Sequence, residues 1–245
     1  MKKNKLILFA FSVLICLQAC DKNGDGNNIA QGYEYFPMEV GHWIIYDFEH
    51  IILDDGFEND TLKGEMKVVW DEAFMDSADR PAMRLAGYFR TNTQKDWESI
   101  VPEMWYCVKT ENEVEVIKDN LRTINLKFPL LKGESWEGNV YINTDAPEYQ
   151  IYRDWVYRIT EANLMTSING VTFDTTITVL QQDYENLIQR YYVKEKYALG
   201  VGMISKDFWL LELNTTEPPA TIEADWPERA NSGTKITYRI KDFGQ

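Results

Sequence analysis

Ser167-Ile168-Asn169-Gly170-Val171-Thr172 decides the fold class. Asn-Gly supplies the positive φ angles of a type I′ turn, and the residues on either side alternate as two paired strands would. Outward from this hairpin, the same chemistry recurs. Val68-Val69-Trp70, Met104 to Val108, Val114 to Ile117 and Ile236 to Ile240 are rich in β-branched and aromatic residues. Asp54-Asp55-Gly56, Glu111-Asn112 and Lys132-Gly133 punctuate them as turns. Strands at short spacing with no alternating helices predict an all-β domain built on an antiparallel sheet. No Rossmann or P-loop glycine pattern and no fixed-period repeat interrupts the reading.

One segment fits two descriptions. Leu180, Tyr184, Leu187 and Tyr191 recur at helical spacing, whereas Ile177 with Val179 and Tyr191 with Val193 recur at strand spacing. Glu185-Asn186 could turn a hairpin between the latter pairs, and two strands are the favoured reading. Glu212 to Gly233 holds Pro218, Pro219 and Pro227 with few periodic apolar positions. It reads as a long surface loop before a final strand.

The N-terminus carries a basic start at Lys2, Lys3 and Lys5, then an uncharged and mostly apolar run from Leu6 to Leu17. This is the architecture of a secretory signal, and the run is too short to span a bilayer. Leu17-Gln18-Ala19-Cys20, at its end, resembles the lipobox of bacterial lipoproteins. That resemblance implies cleavage before Cys20 and acylation of Cys20, with palmitate among the chains attached. Three parts follow: a signal peptide over 1–19, a flexible tether over 20–32 and a single all-β domain over 33–245. The tether is small and polar. Within it Asp21, Asn23, Asp25 and Gly26 match the opening of a calcium loop, but the twelfth position is Gly32 where a bidentate Glu is required.

Composition constrains partners. The net charge of -14 becomes -17 once the three signal lysines leave. Such a chain repels nucleic acid and anionic lipid headgroups, so no nucleic-acid partner is expected. Membrane attachment falls to the lipid on Cys20, each buried CH₂ contributing about 0.8 kcal/mol. With Cys16 lost in the signal and Cys20 acylated, only Cys107 remains, which excludes an intrachain disulfide scaffold. Cys107 lies in the apolar, aromatic run Met104 to Val108 and reads as a small buried hydrophobe.

The segment Tyr33-Glu34-Tyr35-Phe36-Pro37-Met38-Glu39-Val40-Gly41-His42-Trp43-Ile44-Ile45-Tyr46 resembles the opening of many secreted lipoproteins of Bacteroidota. Leu131-Lys132-Gly133-Glu134-Ser135-Trp136 is similar to a Gly-acidic-Ser-Trp turn of that group, and Tyr197-Ala198-Leu199-Gly200-Val201-Gly202-Met203-Ile204 to one of its strand starts. The resemblance implies an outer-membrane-anchored envelope lipoprotein with a strongly curved antiparallel sheet, like lipoprotein-carrier or lipocalin-type half-barrels. A β-sandwich is the alternative. It implies no reaction. On physical grounds, Gly200 and Gly202 permit tight backbone geometry, and Trp43 and Trp136 are read as core-forming. Asp21 behind the cysteine resembles a surface-export signal of the group. Asp60-Thr61-Leu62, Asp76-Ser77-Ala78 and Asp174-Thr175-Thr176 resemble its short O-glycosylation sites.

Residues with catalytic or metal-binding chemistry are few. His42 and His50 fall in the first predicted strand, on one face, roughly 26 Å apart at about 3.3 Å per residue, too far to share a metal. Gly133-Glu134-Ser135-Trp136-Glu137-Gly138 misses the nucleophile elbow because its second glycine comes one residue late. Asp54, Asp55, Glu58 and Asp60 read as a solvated hairpin tip. No catalytic residue, metal ligand or cofactor is assigned, and a non-catalytic binding role is expected. Eight Trp, fourteen Tyr and eleven Phe exceed what a core of this size requires. Trp97, Trp105, Trp155, Trp209 and Trp226 are therefore the candidates to touch a ligand, although any of them could simply fill the core. The partner is an apolar molecule, a glycan or an envelope protein. A lipid carrier predicts a dry cavity lined by Ile, Leu, Phe and Met. A surface glycan binder predicts exposed Trp or Tyr in a flat row. A carboxylate hydrolase predicts two acids about 5 to 9.5 Å apart in a cleft.

Overall fold

The computed structural model describes residues 30–55, 58–91, 93–97, 103–214 and 225–245. Cys20, the signal over 1–19, the calcium-like stretch and tether up to 29, Gly56, Pro218 and Pro219 lie outside the described residues. Twelve strands follow in order: β1 (Trp43–Leu53), β2 (Asp60–Met75), β3 (Pro81–Arg90), β4 (Glu103–Lys109), β5 (Glu113–Lys118), β6 (Leu121–Lys127), β7 (Ser135–Trp136), β8 (Tyr157–Ile168), β9 (Val171–Glu185), β10 (Gln189–Ala198), β11 (Gly202–Glu212) and β12 (Ser232–Gly244).

They form one antiparallel sheet in the order β6-β5-β4-β3-β2-β1-β12-β11-β10-β9-β8-β7. The sheet is nearly closed and barrel-shaped. The expected curved sheet is therefore correct and the sandwich is not. Two up-and-down meanders, β1 to β6 and β7 to β12, meet where β1 pairs with β12 from Trp43↔Gly244 to Leu53↔Gly233. The inward face is set by alternation, as in Ile44, Tyr46 and Phe48, which are buried while Asp47 is exposed.

The quoted hairpin is the β8–β9 turn, with φ of 51° at Asn169 and 82° at Gly170. Asn169 Nδ2 also donates to Ile240 O at 3.1 Å and Asp47 Oδ2 at 2.9 Å, fastening the turn to β12 and β1. The ambiguous region is two strands, β9 and β10. Asn186 Oδ1 accepts from Ile188 N at 2.8 Å and Gln189 N at 2.7 Å, closing the turn between them. Gly200 and Gly202 take φ of 76° and 106° in the β10–β11 turn. The stretch after Glu212 is free of strand up to Ser232 in its described part.

Two readings need correction. His42 precedes β1 instead of lying within it. Trp43 faces outward, opposite in phase to buried Ile44, with Lys67 Nζ 5.0 Å from its ring. Trp136 is core, and does more than fill space. β6 and β7 do not pair, so the gap in the barrel falls in mid-chain. Trp136 Nε1 donates across it to Ile124 O at 2.7 Å, and Ile124 N donates to Gly138 O at 2.8 Å. The YFP-type opening forms the floor at the other end. Lys109 Nζ donates to Tyr33 O at 3.0 Å and Phe36 O at 2.8 Å, and Trp70 Nε1 donates to Pro37 O at 2.9 Å. Gly200 N reaches Glu34 O at 2.9 Å.

Because Trp136 both fills the core and bridges the gap, its truncation should be severe. Trp136→Ala is expected to lower the unfolding free energy by about 3–5 kcal/mol. Trp136→Phe, which keeps a ring but loses the indole donor, should cost about 1–2 kcal/mol. Urea titration followed by tryptophan fluorescence or circular dichroism measures both.

Candidate functional site

The inward alternation of the strands leaves two adjoining chambers inside the barrel. The deeper has a volume of about 120 Å³, with Phe36 among its lining residues and Tyr46, Trp70, Trp105 and Tyr197 around it. The upper holds about 320 Å³ between Tyr152, Trp155, Gln181, Phe208 and Ile236. Val116, Lys118, Asn125, Lys206 and Tyr238 line both. The segment between β7 and β8 supplies Tyr152 and Trp155, so the stretch next to the gap also forms chamber wall.

Charged groups stand among these rings. On β10, Val193, Glu195 and Tyr197 share the inward face, and Glu195 is 1% exposed. Its carboxylate receives Lys206 Nζ at 2.8 Å, Tyr197 Oη at 2.5 Å and Asn125 Nδ2 at 3.2 Å. Burial pushes the Glu195 carboxyl up, but the Lys206 charge and these three donors outweigh it and hold it below the usual carboxylate range. Lys118 Nζ pairs with Glu103 Oε2 at 2.6 Å and lies 5.0 Å from the Trp105 ring. Burial drives the Tyr46, Tyr197 and Tyr238 hydroxyls well upward, so they stay neutral. Tyr46 Oη donates to Met203 O at 2.8 Å.

The sequence candidates scatter. Trp105 and Trp155 line the chambers. Trp97 lies under Arg90 at 4.1 Å, Trp226 under Arg229 at 4.1 Å, and Trp209 packs on Tyr192 at 5.4 Å. Each of these last three is thus occupied by its own neighbour, and the exposed flat row of the surface glycan reading is not formed by them. Cys107 is fully buried, with its thiol pushed up to about 12 by burial against the pull of Lys109. Its reading as a buried hydrophobe holds. His42 Nε2 donates to Val201 O at 2.8 Å and His50 Nε2 contacts Thr234 Oγ1 at 3.0 Å, so the two rings serve separate contacts. Ser135 is exposed and pairs with Arg158 in the short β7 ladder. Among the described residues, no group of three or more His, Cys, Asp or Glu is placed to hold a metal.

Glu195, Lys206, Lys118, Asn125 and Gln181 were missed by the sequence reading. The signal was there for two of them: Glu195 sits between Val193 and Tyr197, and Lys206 between Ile204 and Phe208, each a charge at an inward position of an alternating strand.

No protein-family model matches the chain, and no curated protein does. Among solved structures it overlaps a candidate lipoprotein from Parabacteroides distasonis, with TM-score 0.36 and 11% identity, covering 86% of this chain and 98% of that one. A second overlap, TM-score 0.34 and 11% identity, covers 84% of this chain and 98% of a candidate exported protein with a YmcC-like fold from Bacteroides fragilis. Overlaps this loose do not assign the chain to a family.

The Glu195 cluster sets an acid dependence. A carboxyl whose folded pKa lies below its unfolded value stabilises fully above the unfolded value, about 4.5, and loses that contribution as pH falls through the folded one. Wild-type stability should therefore decline below about pH 5. Glu195→Gln should start about 3 kcal/mol lower at pH 7, because it leaves Lys206 without its counter-charge, and should show a shallower acid limb. Urea unfolding at stepped pH measures both.

Proposed function

We propose that the protein is a lipid-anchored envelope protein of the outer membrane that binds a small amphipathic molecule, without catalysis, inside its barrel. The signal segment and Cys20 support the anchor. The observation that carries the binding reading is the pair of adjoining chambers, with rings, paired charges and neutral polar groups on one continuous wall. A wholly apolar cargo suits such a wall poorly. It would strip water from Lys206, Gln181 and Tyr238 and return no hydrogen bond, at a cost of several kcal/mol. A molecule with an apolar body and a polar edge meets both parts.

Catalysis by a carboxylate pair finds no support at Glu195. Held ionised, Glu195 fits only the base or nucleophile of such a pair, and its oxygens are taken by Lys206, Tyr197 and Asn125. Glu103 is engaged by Lys118, and Asp119, on the lining of the upper chamber, is exposed.

Native mass spectrometry on the mature protein, purified gently from its own envelope, tests the reading. A discrete adduct that is lost on denaturation is expected, and a bare polypeptide mass would contradict it. Cys20→Ala should move the protein from the membrane fraction to the soluble one while leaving the adduct in place. If Cys20→Ala stays in the membrane fraction, the anchor is elsewhere.

A further inference from the structure

Gln181 is one of the polar side chains that the fold leaves unused in the upper chamber, together with Tyr238 and the Trp155 indole Nε1. It is 4% exposed, it lines that chamber, and its amide has no hydrogen-bond partner among the described residues. Since the described residues supply no bond to this amide, water or a ligand in the chamber must. The placement of Gln181 is also irregular. Across the β9–β10 ladder, Val193 pairs with Gln182 but Lys194 with Leu180, so Gln181 is the extra residue of a β-bulge. Bulges of this kind re-aim a side chain.

Tyr238 stands on another wall of the same chamber, on β12, with β10 and β11 between it and β9. Its hydroxyl too has no partner among the described residues, and burial keeps it protonated. Both cations nearby are already matched, Lys206 by Glu195 at 2.8 Å and Lys118 by Glu103 at 2.6 Å, while Asp119 on the chamber lining is exposed and makes no ion pair among the described residues. Trp155 and Phe208 offer flat apolar faces.

We infer that the upper chamber takes a neutral sugar ring, an N-acetylhexosamine being the simplest kind with enough donors and acceptors, held at its edges by Gln181 and Tyr238. This rests on the lumenal binding reading above and names its ligand class. Each feature selects part of that class. The Gln181 amide needs both an acceptor and a donor opposite it, which hydroxyl and acetamido groups supply. Unpartnered groups on separate walls call for polar atoms distributed around a ring instead of along one edge. Trp155 and Phe208 can cover the ring's C–H face. With Lys206 and Lys118 already matched, an acid would enter with its own charge uncompensated.

The test is titration calorimetry of the full mature protein with N-acetylglucosamine and glucose, with glucuronate as the charged control. N-phenyl-1-naphthylamine, a neutral fluorescent apolar probe, is titrated in parallel. N-acetylglucosamine should bind, with glucuronate at least tenfold weaker. Gln181→Leu should weaken it by about tenfold, the equivalent of one or two hydrogen bonds. Tyr238→Phe should weaken it by a smaller factor, and neither variant should shift the urea midpoint downward, since neither group bonds within the protein. Equal binding of charged and neutral sugars, or unchanged binding in Gln181→Leu, would overturn the assignment. Uptake of the naphthylamine with no sugar binding would overturn the sugar class and leave the lumenal reading standing. Binding of neither probe would remove both.

Discussion

The pairing of the first strand with the last governs the rest of the molecule. By zipping β1 to β12 along their length, the chain places its first and last strands at the middle of the sheet and its unpaired edges, β6 and β7, in mid-sequence. An open edge of backbone donors and acceptors invites association with other chains. Here the segment that follows β6 bridges the gap, through the Trp136 indole and the Gly138 carbonyl. The start of the domain folds under the opposite end, where Lys109 holds its carbonyls. Closure, gap and floor are thus three consequences of one pairing.

A barrel closed in this way must do something with its interior. Small barrels usually fill theirs with side chains. This one leaves chambers and places charge beside them. The Glu195–Lys206 pair is not an economical way to stabilise a fold, since desolvation offsets much of the attraction. It is tolerable because Lys206 keeps some exposure, at 26% of its side chain, while Asn125 and Tyr197 complete the carboxylate's bonds. The same donor from Asn125 links β6, beside the gap, to β10 across the lumen. Site and closure therefore share residues, and a change in the chambers will be felt at the gap.

What could be read from the sequence follows the range of the interactions involved. The β8–β9 hairpin was legible because Asn169-Gly170 dictates its own backbone, and the β9–β10 hairpin because Asn186 caps a turn between two strand-spaced runs. Cys107 was legible because an apolar run surrounds it. Trp136 was recognised as core, but not as the bridge over the gap, since Ile124 becomes its partner only when the barrel closes. Trp43 was misjudged because an aromatic residue next to a buried isoleucine takes the opposite face of the strand. Gln181 was invisible for a deeper reason: its orientation depends on a bulge, and a bulge is a property of two strands in register. The charges at Glu195 and Lys206 break the alternation in the sequence itself, yet they went unread because a charge on a strand is ordinarily taken for its solvent face.

The most direct measurement is a crystal structure of the mature protein purified from its own envelope without detergent exchange. A lumen built to hold a small amphipathic molecule predicts continuous non-protein density through both chambers, with polar atoms within hydrogen-bond distance of Gln181 and Tyr238. Chambers occupied by ordered water alone, with Gln181 bonded only to that water, would contradict it.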